Sequence, residues 1–356
     1  NNNIIMIKFL LAAVVAVSRI GASTQQSNGS LWAVSKGGTL SVCENPSSQT
    51  SLDTCFSGVP KSSNYRDPTT TNGKNVYYYD PDGGGSIVSC PISRFGVACQ
   101  SLGFTNLPEP YPFSMAASIA YLYLGYSNGN IYRCPLDASS WGCVQFDDAV
   151  TRPINSLVLA NGRLYAGLGT GGGTGTGLIW NCDPTVANSC DDFNDPRKTD
   201  VNALAVGDGA PGYFWAGLAN GIIWRCPLDK ANSCVNWYDI GKSVSSISFD
   251  AEDGTTFYAG TEEYTKFSTS GGIYTCSTNT QNGCTRSQNN GSAGVASVAG
   301  GMGSVFWSLS DGPPFLYTWT STSTTYAAFT SSTSENWRYA QLLYFPGSTL
   351  TTTKVE

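Results

Sequence analysis

Six pairs of cysteines, each pair eight to twelve positions apart, recur along the chain at intervals of 44 to 50 residues: Cys43/Cys55, Cys90/Cys99, Cys134/Cys143, Cys182/Cys190, Cys226/Cys234 and Cys276/Cys284. A fixed period of this length marks a repeat architecture, in which each unit covers the apolar face of its neighbour. The 356 residues would allow two domains by length alone, but the period runs nearly end to end and argues for one assembly over residues 23–356.

One repeat can be read strand by strand. Residues 154–159 and 163–168 alternate in the manner of strands, and Asn161-Gly162 between them is a strong hairpin signal. A glycine-rich turn leads to a third strand ending at Cys182, and Cys190 opens a shorter fourth. The next copy repeats every element as far as Cys226 and Cys234. Four strands in 44 to 50 residues is the size of a propeller blade. A seventh copy has lost its cysteines, and Trp319 stands at the third-strand cysteine position.

The expected fold is therefore all-β, a seven-bladed β-propeller of four-stranded antiparallel blades, six of them carrying a local hairpin disulfide. The first blade lacks an innermost strand, and residues 337–345 have the pattern of one without a blade of its own. Supplying that C-terminal strand to the first blade would close the ring and remove the open ends.

Twelve cysteines leave none over, and local pairing is useful only in an oxidising compartment. Zinc would require closer spacing or nearby histidines, and the chain has no histidine. Residues 1–22 read as a signal peptide, with Lys8 before the apolar run 9–17 and small residues at Ser18, Gly21 and Ala22. That run is too short for stable membrane insertion. Asn28 and Asn290 head N-glycosylation sequons. Only 12% of residues are charged and the formal charge is −6, a poor match for a phosphate backbone, so no nucleic-acid partner is expected.

The lack of histidine removes the usual general base near neutral pH, and cysteines held in disulfides offer no thiol nucleophile. Carboxylates remain: Asp147/Asp148, Asp191/Asp192, Asp195, Asp250, Glu252/Asp253, Glu262/Glu263 and Glu335. Most lie in connecting segments at comparable positions of successive repeats, where turn capping accounts for them. Residues 80–85 and 250–254 could offer oxygens to calcium but do not fill a calcium-loop pattern. Residues 169–177 are glycine-rich without the lysine of a phosphate cradle. No metal, cofactor or catalytic residue is assigned.

Aromatic residues make up 12% of the chain. Tyr132, Trp180, Trp224 and Tyr274 each stand two positions before a third-strand cysteine, which marks them as packing elements between blades. Tyr111, Trp141, Trp237, Tyr238 and Tyr264 lie off that register and are the candidate contacts to a glycan or protein partner. Asn155 and Asn202, in otherwise apolar innermost strands, either line a central channel or satisfy local backbone groups.

The stretches 129–143 and 220–234, each carrying an Arg-Cys-Pro-Leu-Asp core (Arg133 to Asp137, Arg225 to Asp229), resemble the cysteine-stapled blade repeats of secreted surface glycoproteins of green algae and related protists. The resemblance covers most of residues 30–319 and implies a place in cell walls or surface filaments. The expected function is thus a non-enzymatic extracellular structural or adhesive glycoprotein that self-assembles or joins other extracellular glycoproteins. A secreted lectin with a glycan ligand is the alternative, and a glycan-active hydrolase or lyase a more distant one.

Overall fold

The described residues of the computed structural model contain 28 strands and run from 30 to 345, except 35–39, 45–55, 58–67, 81–84, 93–98, 106, 108–110, 138–141, 149–151, 171–177, 195–198, 208, 252, 265–268, 290–292, 302, 311–315, 321–326 and 329–340. The expected signal peptide, both sequons, Trp141, Asp195, Glu252, Glu335 and the partner position Cys55 lie outside them.

The strands form antiparallel sheets of four. Six sheets use strands consecutive in the chain, and they follow one plan of up-and-down hairpins. The second sheet comprises Thr69–Thr71, Asn75–Asp80, Ser86–Pro91 and Gln100–Leu102. The third comprises Ser114–Ala117, Tyr121–Gly125, Asn130–Pro135 and Val144–Asp148. Ile154–Ala160, Arg163–Leu168, Ile179–Cys182 and Asp191–Asn194 make the fourth. Val201–Ala205, Tyr213–Leu218, Ile222–Pro227 and Val235–Asp239 make the fifth. The sixth takes Val244–Phe249, Thr256–Tyr264, Thr269–Ser277 and Thr285–Asn289. The seventh takes Val295–Gly301, Ser304–Leu309, Leu316–Thr320 and Ala327–Ala328.

The remaining sheet, the first, is composite. Gln341–Phe345 pairs antiparallel with Ser30–Val34, which continues to Leu40–Glu44 and Phe56–Ser57. Its C-terminal strand also lies beside the innermost strands of the second and seventh sheets. The architecture is a β-propeller.

Five of the expected disulfides are formed: Cys90–Cys99, Cys134–Cys143, Cys182–Cys190, Cys226–Cys234 and Cys276–Cys284. Cys55, the partner expected for Cys43, falls outside the described residues. Each bridge ties the end of a third strand to the start of the fourth, the outermost strand of its sheet. Closing a loop of this length stabilises the fold by about 2.5 kcal/mol in the chain-entropy picture. Five local bridges fit a secreted or extracellular protein. In the seventh sheet Trp319 pairs with Val305 at the register where Cys134 pairs with Leu122 and Cys226 with Phe214.

The core lies between sheets. One cluster joins Tyr123, Ile131 and Phe146 of the third sheet to Ile154, Leu164 and Leu168 of the fourth, and the same arrangement repeats between the fourth and fifth and between the fifth and sixth. A glycine on the second strand of the third, fourth, fifth and sixth sheets makes the close approach feasible there. A Cβ at Gly125, Gly167, Gly217 or Gly260 would sit 2.5 to 2.6 Å from Ile154, Val201, Val244 or Val295, the residue that opens the next innermost strand.

Candidate functional site

The ends of the strands define two faces. The first-to-second-strand hairpins and the disulfide loops share one face, and the starts of the innermost strands lie on the other.

On the hairpin face the disulfide loops of the fourth, fifth and sixth sheets are latched to the preceding sheet. The backbone N–H groups of Asn188, Asn232 and Asn282 donate to the carbonyls of Phe146, Phe193 and Trp237 at 2.8, 2.8 and 3.0 Å. All three asparagines have positive φ, at 53°, 57° and 60°, and each stands two residues before the second cysteine of its loop. Asparagine tolerates this left-handed backbone better than other side-chain-bearing residues, which explains its recurrence there.

A second contact runs the opposite way. The Tyr123 and Tyr165 hydroxyls donate to the Pro184 and Leu228 carbonyls at 2.8 and 2.6 Å, and the Trp237 indole N–H donates to the Ser277 carbonyl at 3.0 Å. Asp147 accepts the Cys190 N–H at 3.0 Å and the Asp148 N–H at 2.8 Å. Burial pushes the Tyr123 hydroxyl up to about 12, although the Arg133 guanidinium pulls it back, and Tyr165 is raised by the same desolvation.

Two arginines complete the latch. Arg133 lies over the Tyr121 and Phe146 rings, with its Cζ 4.9 and 5.5 Å from their centroids, and donates to the Pro184 and Thr185 carbonyls at 3.0 and 3.1 Å. Arg225 lies between Tyr213 and Trp237 at 4.6 and 4.1 Å. In the fourth sheet Asn181 stands at the third-strand arginine position. There Arg163, on the second strand, donates from Nε to Asn181 Oδ1 at 2.7 Å.

A series of small polar side chains joins successive innermost strands from the third sheet to Gln341–Phe345. Ser114 Oγ donates to the Ile154 carbonyl at 2.8 Å, and Asn202 Nδ2 to the Val244 carbonyl at 3.2 Å. The Ser245 hydroxyl donates to the Val295 carbonyl, while Ser156 Oγ accepts the Leu204 N–H at 2.9 Å and Ser297 Oγ accepts the Leu342 N–H at 3.2 Å. The register shifts at 154/156, 201/203, 244/246 and 295/297 place Asn155, Asn202, Ser245 and Ala296 at bulges. A bulge re-aims its side chain, and Asn202 thereby serves its neighbouring sheet.

The candidate partner-contacting aromatics do not converge. Trp237 is 4% exposed and is a packing residue beneath Arg225, which corrects the expectation of an exposed platform. Tyr238 is half-buried against the same cluster, and Tyr111 meets Tyr79 edge-on at 5.8 Å. Tyr264 ends a second strand, and its side chain lies outside the described residues. Tyr132, Trp180 and Trp224 are half-buried between sheets and Tyr274 is buried, as their register implies.

Several carboxylates serve local structure. Asp192 accepts the Trp180 indole N–H at 2.9 Å, Asp253 accepts the Thr255 and Thr256 N–H groups at 2.9 and 2.8 Å, and Asp250 accepts the Tyr258 hydroxyl at 3.1 Å. Among the described residues no group of three His, Cys, Asp or Glu is arranged to hold a metal ion.

A cleft of about 440 Å³ opens on the hairpin face between the third and fourth sheets. Ala117, Ala120, Tyr121, Leu159, Pro184 and Thr185 are among its walls, and no charged residue lines it. Its existence was not readable from the sequence, because it forms where the turn of one repeat meets the disulfide loop of the next.

These features define a disulfide-clipped propeller with latched sheets. No known protein family matches the chain, and no curated protein is similar to it in sequence. In structure it is similar to the computationally designed Ika8 protein, at 13% identity and a TM-score of 0.51 over 85% of this chain and 86% of that one. It is likewise similar to a chain of the mitotic checkpoint complex, at 13% identity and a TM-score of 0.51 over 74% and 79%. Likeness at this identity establishes the fold alone.

Proposed function

We propose that this protein is a secreted, extracellular structural or adhesive scaffold, a seven-bladed ring closed by Gln341–Phe345 and displayed at a cell surface or in a matrix. The supporting observation is the latch: each of three successive disulfide loops is fixed to the preceding sheet by its asparagine N–H and by a phenol or indole donor. Binding and catalytic sites gain from loops that move, whereas these loops are held covalently and by hydrogen bonds at both ends. Low charge and many hydroxyls and amides suit a durable, glycosylated body outside the cell.

Electron microscopy of native material, coupled to a glycan-array screen, tests this reading. Ordered filaments or sheets containing the chain support it. Dispersed monomers that bind a defined glycan would replace it with the lectin reading.

A further inference from the structure

Five large hydrophobic residues are exposed on the described surface: Phe113, Ile119, Val144, Val186 and Val235. Three of them bear on one geometry. Ile119, 77% exposed, lies between the cleft-lining residues Ser118 and Ala120, and Val186, 52% exposed, follows the cleft-lining Thr185. An exposed apolar residue thus adjoins the cleft lining in the chain on each of its two walls.

Phe113, 49% exposed, precedes the innermost strand Ser114–Ala117, and its N–H donates to the Gly125 carbonyl at 2.7 Å. The cleft begins at Ala117, the other end of that strand. Knob and hole therefore lie at opposite ends of the same innermost strand, on the two opposite faces of the propeller.

We propose that copies of this chain stack head to tail, the Phe113 ring of one copy entering the cleft between the third and fourth sheets of a second copy. This rests on the scaffold reading and supplies its interface. An apolar cavity of about 150 Å³ accommodates benzene, so a cleft of about 440 Å³ has room for a benzyl group. The uncharged walls impose no cost of burying an unpaired charge on the entering ring. A stable contact needs about 1,000 Å² or more, so the stacked faces must also cover Ile119 and Val186. A knob on one face and a hole on the other make a heterologous contact, which propagates along the ring axis as an open filament.

Sedimentation velocity over a concentration series tests this with Phe113→Ser, which removes the knob, and Ala120→Trp, which fills the hole from an exposed turn. Wild-type protein should form concentration-dependent oligomers. Each variant alone should need at least about tenfold higher concentration to associate, the scale of burying one phenyl ring. An equimolar mixture should give dimers and nothing larger, because one intact knob and one intact hole remain. Circular dichroism verifies that both variants fold, and Ile119→Ser, beside the cleft lining, should weaken association by a smaller factor. Monomeric wild type at every concentration, a Phe113→Ser variant that assembles normally, or a mixture without dimers would overturn the proposal. If native filaments exist but Phe113→Ser leaves them unchanged, this interface is wrong while the scaffold reading stands.

Discussion

The backbone N–H of Asn232 donates to the carbonyl of Phe193, 2.8 Å away in the preceding sheet, from a left-handed backbone at φ 57°. The bond links the fifth sheet's disulfide loop to the fourth sheet's outermost strand, so the covalent clip of one repeat is braced against the repeat before it. Asn188 and Asn282 do the same for their neighbours.

Replacing Asn232 by Ala should destabilise the protein by about 1–2 kcal/mol, the cost of a left-handed residue with a Cβ and no local polar compensation. Asn232→Gly should cost less. Denaturant unfolding distinguishes the two, and equal stability of the alanine variant would show that the loop does not need this backbone.

Gly217→Ala should be more disruptive than an ordinary strand substitution. The added methyl would lie 2.5 Å from Val244 Cγ1, and overpacking of this kind costs about 1–3 kcal/mol. Pairing it with Val244→Ala should recover part of the loss in a double-mutant cycle. Strict additivity would contradict a direct contact.

Arg225→Met should lose about 1–2 kcal/mol through its contacts with Tyr213 and Trp237, while Arg225→Lys retains part of them. Tryptophan emission should change with the variant, because Trp237 stacks on this side chain. Unchanged stability and emission would show the contact to be incidental.

Stability should fall in alkali. Burial raises the hydroxyls of Tyr78 and Tyr123 to about 12, above the unfolded value near 10, and Tyr258 is raised further by burial and the Asp250 carboxylate. The folded chain then holds protons that the unfolded chain releases. Their stabilisation is complete below pH ~10 and is lost as pH rises toward ~12. Unfolding free energies measured across that range, with tyrosinate absorbance followed in parallel, check the sign. Stability that rises with alkali would contradict it.

Much of the fold is legible in the sequence because its determinants are local. Cysteine spacing, the Asn161-Gly162 turn and alternating second strands each act within one repeat, and the register of Trp319 follows from them. What escapes such reading arises between repeats. Trp237 lies off the third-strand register, yet Arg225 of the paired third strand covers it and its indole N–H reaches the Ser277 carbonyl of the next sheet. Gly125, Gly167, Gly217 and Gly260 look like ordinary strand residues until the next sheet's branched side chain is placed against them. The Asn-x-Cys recurrence at 188–190, 232–234 and 282–284 was a visible signal, but its meaning depends on a carbonyl in another repeat.

The seam between the two ends of the chain is the decisive place to probe. Leu342 donates to Ser297 Oγ in the seventh sheet, and its strand pairs with Ser30–Val34. Thermal unfolding should be compared for the full chain and for a variant ending before Gln341. A ring closed at this seam should lose cooperativity and melt at markedly lower temperature once the strand is removed. An unchanged, equally cooperative transition would contradict closure and, with it, the rigid scaffold.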